Sequence, residues 1–309
     1  MAALRSYVAL QNGWLAGAAM LAAAVTACSS SDMARCDDHA DCASGFCRAD
    51  HTCAPDDDVD AAPGTDGGDP GIDASVGCVP DHDGTLTRDE LVMAAGQMAR
   101  FRVATDVPVD TAGTQGAGGA RAWTFTAAAS GDRDLELTLV APAGQWWADT
   151  FPTASYATRL SAEASLLGVM RLDASGVALL GVVSPEAGLS RTELTYDPAV
   201  PIIPTPLAPS ASWNVTSTVS GLASGVAAFY TERYESRVDA VGEAATPFGT
   251  FPVRRIAVDL TRTVGAAVST RRSFAFVSEC YGTVATVASQ DYESGSEFTD
   301  AAELWRLQP

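Results

Sequence analysis

Five of the seven cysteines and two of the three histidines in this 309-residue chain fall between residues 27 and 53, in ACSSSDMARCDDHADCASGFCRADHTC. Residues of these types at such density bind metals, form disulfides, or act as nucleophile and base. The spacing Cys36-x5-Cys42-x4-Cys47-x5-Cys53 lacks the close cysteine pairs of structural zinc sites. Two local disulfides are therefore expected, with their pairing open, and His39 and His51 are not expected to hold a metal.

Elsewhere the chemistry is narrowed by absence. The chain has no Lys, no His beyond His82, and no cysteine after Cys78 except Cys280. Ser-His, Cys-His and Lys-based nucleophilic machinery is thus missing from residues 83–309. Carboxylates remain, and a pair drawn from Asp291, Glu293, Glu297 and Asp300 is compatible with glycosidase spacing. SQDYESGSEFTDAAEL reads more simply as a polar turn before a last strand, so neither a catalytic residue nor a cofactor is expected. CVPDHDGTLTRDEL sets Asp81, Asp83, Gly84, Leu86 and Glu90 at positions 3, 5, 6, 8 and 12 of an EF-hand loop. Asp81, Asp83 and Glu90 are the calcium candidates, but Val79 occupies position 1. The simpler reading is an Asp-Gly turn, followed by a short helix over Thr87–Phe101 that Thr87 and Glu90 open as a capping box.

Ahead of the cysteine cluster, Arg5 precedes the apolar run WLAGAAMLAAAV, Trp14–Val25. Spanning a bilayer takes about 20 residues, so this shorter run matches the core of a cleaved export signal over residues 1–27. It ends in AVTAC, and small residues before a cysteine resemble the lipobox of bacterial lipoproteins. That resemblance implies that Cys28 is lipidated and tethers the chain to a membrane. Ser29, in place of Asp, resembles the signal for outer-membrane delivery, with the face of that membrane left open.

Lipidation of Cys28 leaves six cysteines, an even number that suits an oxidising compartment. Cys36, Cys42, Cys47 and Cys53 pair locally, so a Cys78–Cys280 bridge follows by elimination unless two chains are joined. DCASGFC and its flanking cysteines resemble the Cys-rich stalk modules of secreted bacterial lipoproteins.

The elements around these groups divide by composition. Residues 28–53 form the stalk, and residues 54–77 an acidic Asp/Gly/Pro linker without aromatic residues, expected to stay disordered. Residues 28–77 hold twelve acidic residues against two arginines, in a chain of net charge −19. Nucleic acid and anionic lipid are unsuitable partners for such a surface. Residues 78–309 have β texture. SLLGVMRLDASGVALLGVVSP predicts a hairpin around Asp173–Gly176, with Leu166, Met170 and Leu172 sharing one face and Val177, Leu179 and Val183 another. In RRSFAFVSECYG the alternation puts Phe274, Phe276 and Cys280 on one face.

GQWWADTFP would place Trp146 and Trp147 on opposite faces of a strand, one of them exposed, either as packing at the core's edge or as contact with a ligand or partner. DPAVPIIPTPLAPSASW is expected to be a long crossing loop, since no central strand tolerates such proline spacing. Thr246, Gly249, Thr250, Phe251, Phe274, Phe276, Gly282 and Val284 resemble the tail of uncharacterised periplasmic proteins related to the Lol-type lipoprotein carriers. The resemblance implies a curled antiparallel sheet whose concave face can hold an apolar group.

The expected fold is all-β: an antiparallel curled sheet or half-barrel with at most one short helix, preceded by a disulfide knot and a disordered acidic linker. The expected function is that of a lipid-anchored, non-catalytic binding or structural module of the envelope. The alternatives are a carrier or sensor for an apolar ligand, and a carboxylate hydrolase.

Overall fold

From Met98 onward, apolar and polar residues alternate with a period of two, and Gly, Asp and Ser interrupt the alternation at short intervals. A chain of this pattern buries one face of each strand and turns back on itself in antiparallel pairs. The computed structural model describes residues 78–309. The expected signal peptide, the stalk with Cys28, Cys36, Cys42, Cys47 and Cys53, and the acidic linker lie outside the described residues.

The strands are β1 (Met98–Pro108), β2 (Thr114–Gln115), β3 (Arg121–Thr124), β4 (Arg133–Thr138), β5 (Tyr156–Arg159), β6 (Leu167–Asp173), β7 (Gly176–Val183), β8 (Glu193–Pro204), β9 (Ser212–Ala223), β10 (Val226–Ala245), β11 (Thr250–Val264), β12 (Ala267–Ser278), β13 (Gly282–Asp291) and β14 (Asp300–Gln308). They form one sheet in the order β4-β1-β14-β13-β12-β11-β10-β9-β8-β7-β6-β5. Its two edges meet at one point. Val140, just after β4, and Ala157 of β5 exchange both backbone hydrogen bonds, at 2.8 and 2.9 Å. The antiparallel path is thereby nearly closed into a barrel, which limits unpaired edge. Off this path, β2 pairs with β3, and β3 runs parallel to the end of β10. Gly242 is required there, because a Cβ would lie 1.8 Å from the Arg121 carbonyl oxygen.

Both faces of the central strands are covered. Phe274 and Phe276 of β12 join Phe101, Phe251, Trp123 and Trp305 in one core cluster. Val277, on the opposite face, joins Tyr156, Met170, Leu179, Ile203 and Ile256 in a second. Burial pulls in charge as well. Arg255 is 2% exposed, and Asp239 and Glu297 hold its guanidinium with hydrogen bonds of 2.7–3.0 Å.

Several local expectations give way to tertiary pairing. Among the described residues there is no α-helix, only a 3-10 turn at Ala117–Gly119. Thr87–Phe101 runs through turns to Gln97 and then enters β1. Gly96 takes φ +91°, a left-handed conformation that suits a chain reversal. Phe101 and Val103 then reach the core from a strand paired on both sides, and that pairing outweighs helix propensity. Half of the capping box forms without its helix, as Glu90 Oε2 accepts from Thr87 N and Oγ1, both at 2.8 Å.

The hairpin turns between Asp173 and Gly176 as its sequence predicts. Its faces do not stay constant. Met170 pairs with Leu179 and Val169 with Gly181, so Leu180 is an extra residue. A bulge of this kind switches which face later residues occupy, and Val183 packs with Trp147 while Leu179 stays with Met170.

The proline-rich stretch is also a correction. Its first half belongs to strand β8, which is paired to β7 along much of its length. Pairing with β9 covers only Glu193–Asp197. Among the described residues β7 is thus the one ladder partner of β8 from Pro198 onward, the setting in which proline's missing N–H is tolerated. Trp146 and Trp147 lie in turns rather than on a strand, and neither is exposed. Trp147 is buried against Phe151, while half-buried Trp146 donates from Nε1 to the Ser184 carbonyl at 3.2 Å.

Candidate functional site

Where the two core clusters meet, the sheet leaves a cavity of about 740 Å³. Tyr156, Met170, Val177 and Ile203 line it from β5 to β8, and Phe101, Trp305 and Leu307 from β1 and β14. These are strands from opposite ends of the sheet order, brought face to face by its curl. Met98 and Leu160, 66% and 43% exposed, mark an apolar rim open to solvent. Arg100, Glu136 and Arg159 also border the cavity.

Polar groups inside are few. Burial pushes the Tyr156 phenol well above its ordinary range, so it stays protonated. Its hydroxyl meets only the Met93 sulfur, at 3.5 Å, a weak acceptor. The Thr158 hydroxyl is buried and has no hydrogen-bond partner among the described residues. An apolar chamber with a few convergent polar groups is the usual form of a small-molecule site, and its volume falls in the common range of about 300–1,000 Å³.

The wall beside Phe248 and Tyr281 includes Cys280. Cys78 and Cys280 are joined by a disulfide across 202 residues, with Cα atoms 5.6 Å apart. Cys280 does not share the strand face of Phe274 and Phe276. It sits in the turn after β12 with φ +66° and donates its N–H to the Glu90 carbonyl at 2.9 Å. The disulfide thus pins residues 78–93 over the β12–β13 turn, and Val92 and Met93 of that segment line the cavity.

Of the calcium candidates, Asp81 and Glu90 come together, joined by Glu279 rather than by Asp83. Asp83 instead closes its own turn, accepting from Thr85 N at 2.6 Å. Three of the four C-terminal carboxylates are engaged in structure. Glu297 is gripped by Arg255, with Arg121 3.6 Å away. Glu293 accepts from Gly295 N at 2.7 Å, and Asp300 from the Thr299 hydroxyl at 3.1 Å.

One buried polar group had no counterpart in the sequence reading. Glu232 accepts from Arg262 Nε at 2.6 Å and from the Tyr234 hydroxyl at 2.5 Å, and the Arg262 guanidinium lies 5.4 Å from the Tyr230 ring centroid. Burial, reinforced by the Glu232 charge, holds Tyr196 and Tyr234 well above the ordinary phenol range and raises Tyr230. The signal available for it is YTERY, which puts Tyr230, Glu232 and Tyr234 on one strand face.

No family model, curated protein or solved structure matches this chain.

Proposed function

We propose that this chain is a lipid-anchored binding protein of the bacterial envelope that carries out no reaction of its own and holds an apolar ligand, such as a lipid, inside its barrel-like sheet. The observation that carries this reading is the apolar cavity of about 740 Å³ between Tyr156, Met170 and Ile203 on one side and Phe101 and Trp305 on the other. Anchoring rests on AVTAC and Cys28, and the absence of catalysis on the want of His and Lys beyond His82. The Thr158 hydroxyl and the rim arginines would orient a polar end of the ligand.

The test uses the purified full chain. Organic extraction followed by mass spectrometry should recover a hydrophobic molecule in near-stoichiometric amount, and the delipidated protein should bind N-phenyl-1-naphthylamine saturably. Leu137 lines the cavity on β4 without being fully buried, so Leu137→Arg should weaken probe binding at least tenfold with little change in Tm. An empty extract together with no saturable probe binding rejects the reading.

A further inference from the structure

We propose that Asp81, Glu90 and Glu279 form a binding site for a calcium ion, at the place where the start of the described chain is pinned to the β12–β13 turn. One oxygen from each of the three carboxylates lies within 4.8 Å of the others. Calcium binds oxygen at about 2.3–2.6 Å, so opposite ligands of one ion stand about 4.6–5.2 Å apart. The three groups therefore fit around a single ion.

The second observation is an orphaned atom. Glu90 is 5% exposed, and its Oε2 accepts from Thr87 N and Oγ1 while its Oε1 is shut away from water with no hydrogen-bond partner among the described residues. Buried carboxylate oxygens ordinarily have partners. Glu279 is buried too. Its Oε1 accepts from Arg254 at 3.0 Å and its Oε2 from the His82 backbone N–H at 3.1 Å. Those bonds fix its direction, in the way that groups behind a metal ligand orient it.

Charge points the same way. Three carboxylates face one guanidinium, Arg254, with the exposed His82 ring 3.4 Å from Glu279. The three carboxylates and the single guanidinium leave two formal negative charges, which a divalent ion neutralises. All three donors are oxygen, the preference of a hard cation. Asp81 is exposed, leaving one side open for water ligands and the irregular geometry that calcium accepts.

The fold holds the site in place without the ion. Leu86 and Leu207 exchange backbone hydrogen bonds at 3.0 and 2.8 Å, Arg254 Nε donates to the Gly84 carbonyl at 3.2 Å, and the disulfide ties Cys78 to the residue after Glu279. The inference does not depend on the cavity being occupied.

Isothermal titration of the chelator-treated full chain with calcium chloride tests the site. One ion should bind per chain, and calcium should raise Tm reversibly by chelation. Asp81→Asn should weaken calcium binding at least tenfold, and Glu90→Gln more. Asp83→Asn should leave affinity within about twofold, because Asp83 lies outside the cluster. Should Glu90→Gln fail to fold, exposed Asp81→Asn still decides the matter. No saturable calcium binding, calcium binding unchanged in Asp81→Asn, or a stronger preference for zinc each overturns the proposal.

Discussion

The guanidinium carbon of Arg255 stands 4.2 Å from the centroid of the Phe274 ring. Trp123 lies near it as well, at 5.3 Å, and Asp239 and Glu297 fork onto its nitrogens. Here a buried cation is satisfied by two carboxylates and by aromatic faces at once. Removing one member of such a group strands the others, at a cost of about 3–5 kcal/mol. Arg255→Ala should lower the free energy of unfolding by roughly that amount. Arg255→Lys should recover only part, because an ammonium keeps the charge but not the fork. A urea titration showing a loss below about 1 kcal/mol for Arg255→Ala would falsify this account.

The Cys78–Cys280 disulfide closes a loop of 202 residues. In the chain-entropy picture such a closure stabilises the fold by about 5 kcal/mol. Cys280→Ser should melt markedly lower than the parent chain. Non-reducing peptide maps should show the Cys280 fragment joined to the Cys78 fragment. A fragment joined instead to Cys36, Cys42, Cys47 or Cys53 rules the pairing out in solution.

Alkaline pH should unfold the protein through its tyrosines. Burial raises the folded-state values of Tyr156, Tyr196, Tyr230 and Tyr234, whereas an unfolded tyrosine titrates near pH 10. A raised acid contributes stability that is fully present below the unfolded value and is lost as pH rises towards the folded one. The urea midpoint should therefore fall steadily above about pH 10. Absorbance of tyrosinate in the folded chain should show a delayed group of phenols. If every tyrosine titrates together near pH 10 while the fold persists, these side chains are not buried as described.

Cys28→Ser should move the protein from the detergent phase to the aqueous phase after cell fractionation, since the expected anchor is covalent. Retention of the variant in the membrane fraction would sink the lipobox reading.

What could be read in advance depended on how local the determining interaction is. The β6–β7 turn was legible because DASG and the flanking alternation lie within a few residues. The bulge at Leu180 was not, since nothing in ALLGVV says which leucine leaves the ladder. Parity exposed the Cys78–Cys280 bond, because counting cysteines needs no geometry. The strand in the proline-rich segment was hidden for the opposite reason: proline is tolerated there because β9 withdraws after Asp197, a property of the partner strand. For the same reason only two of the three calcium candidates, Asp81 and Glu90, meet in the structure. They share a local motif, but Glu279 arrives from the β12–β13 turn, far along the chain, and the cavity is likewise assembled from strands at opposite ends of the sheet order.

The bond between Cys78 and Cys280 also determines how the domain would carry mechanical force. A pull transmitted along the chain from before residue 78 does not travel through residues 79–279, because the covalent link offers a shorter path. The load enters the sheet at the β12–β13 turn and passes on towards β13 and β14, whose pairing with neighbouring strands must then resist it. The segment from Asp81 to Met93, and with it the wall of the cavity, is shielded from tension for as long as the disulfide is intact. Reduction would reverse this, making residues 79–97 the first part of the domain to be stretched.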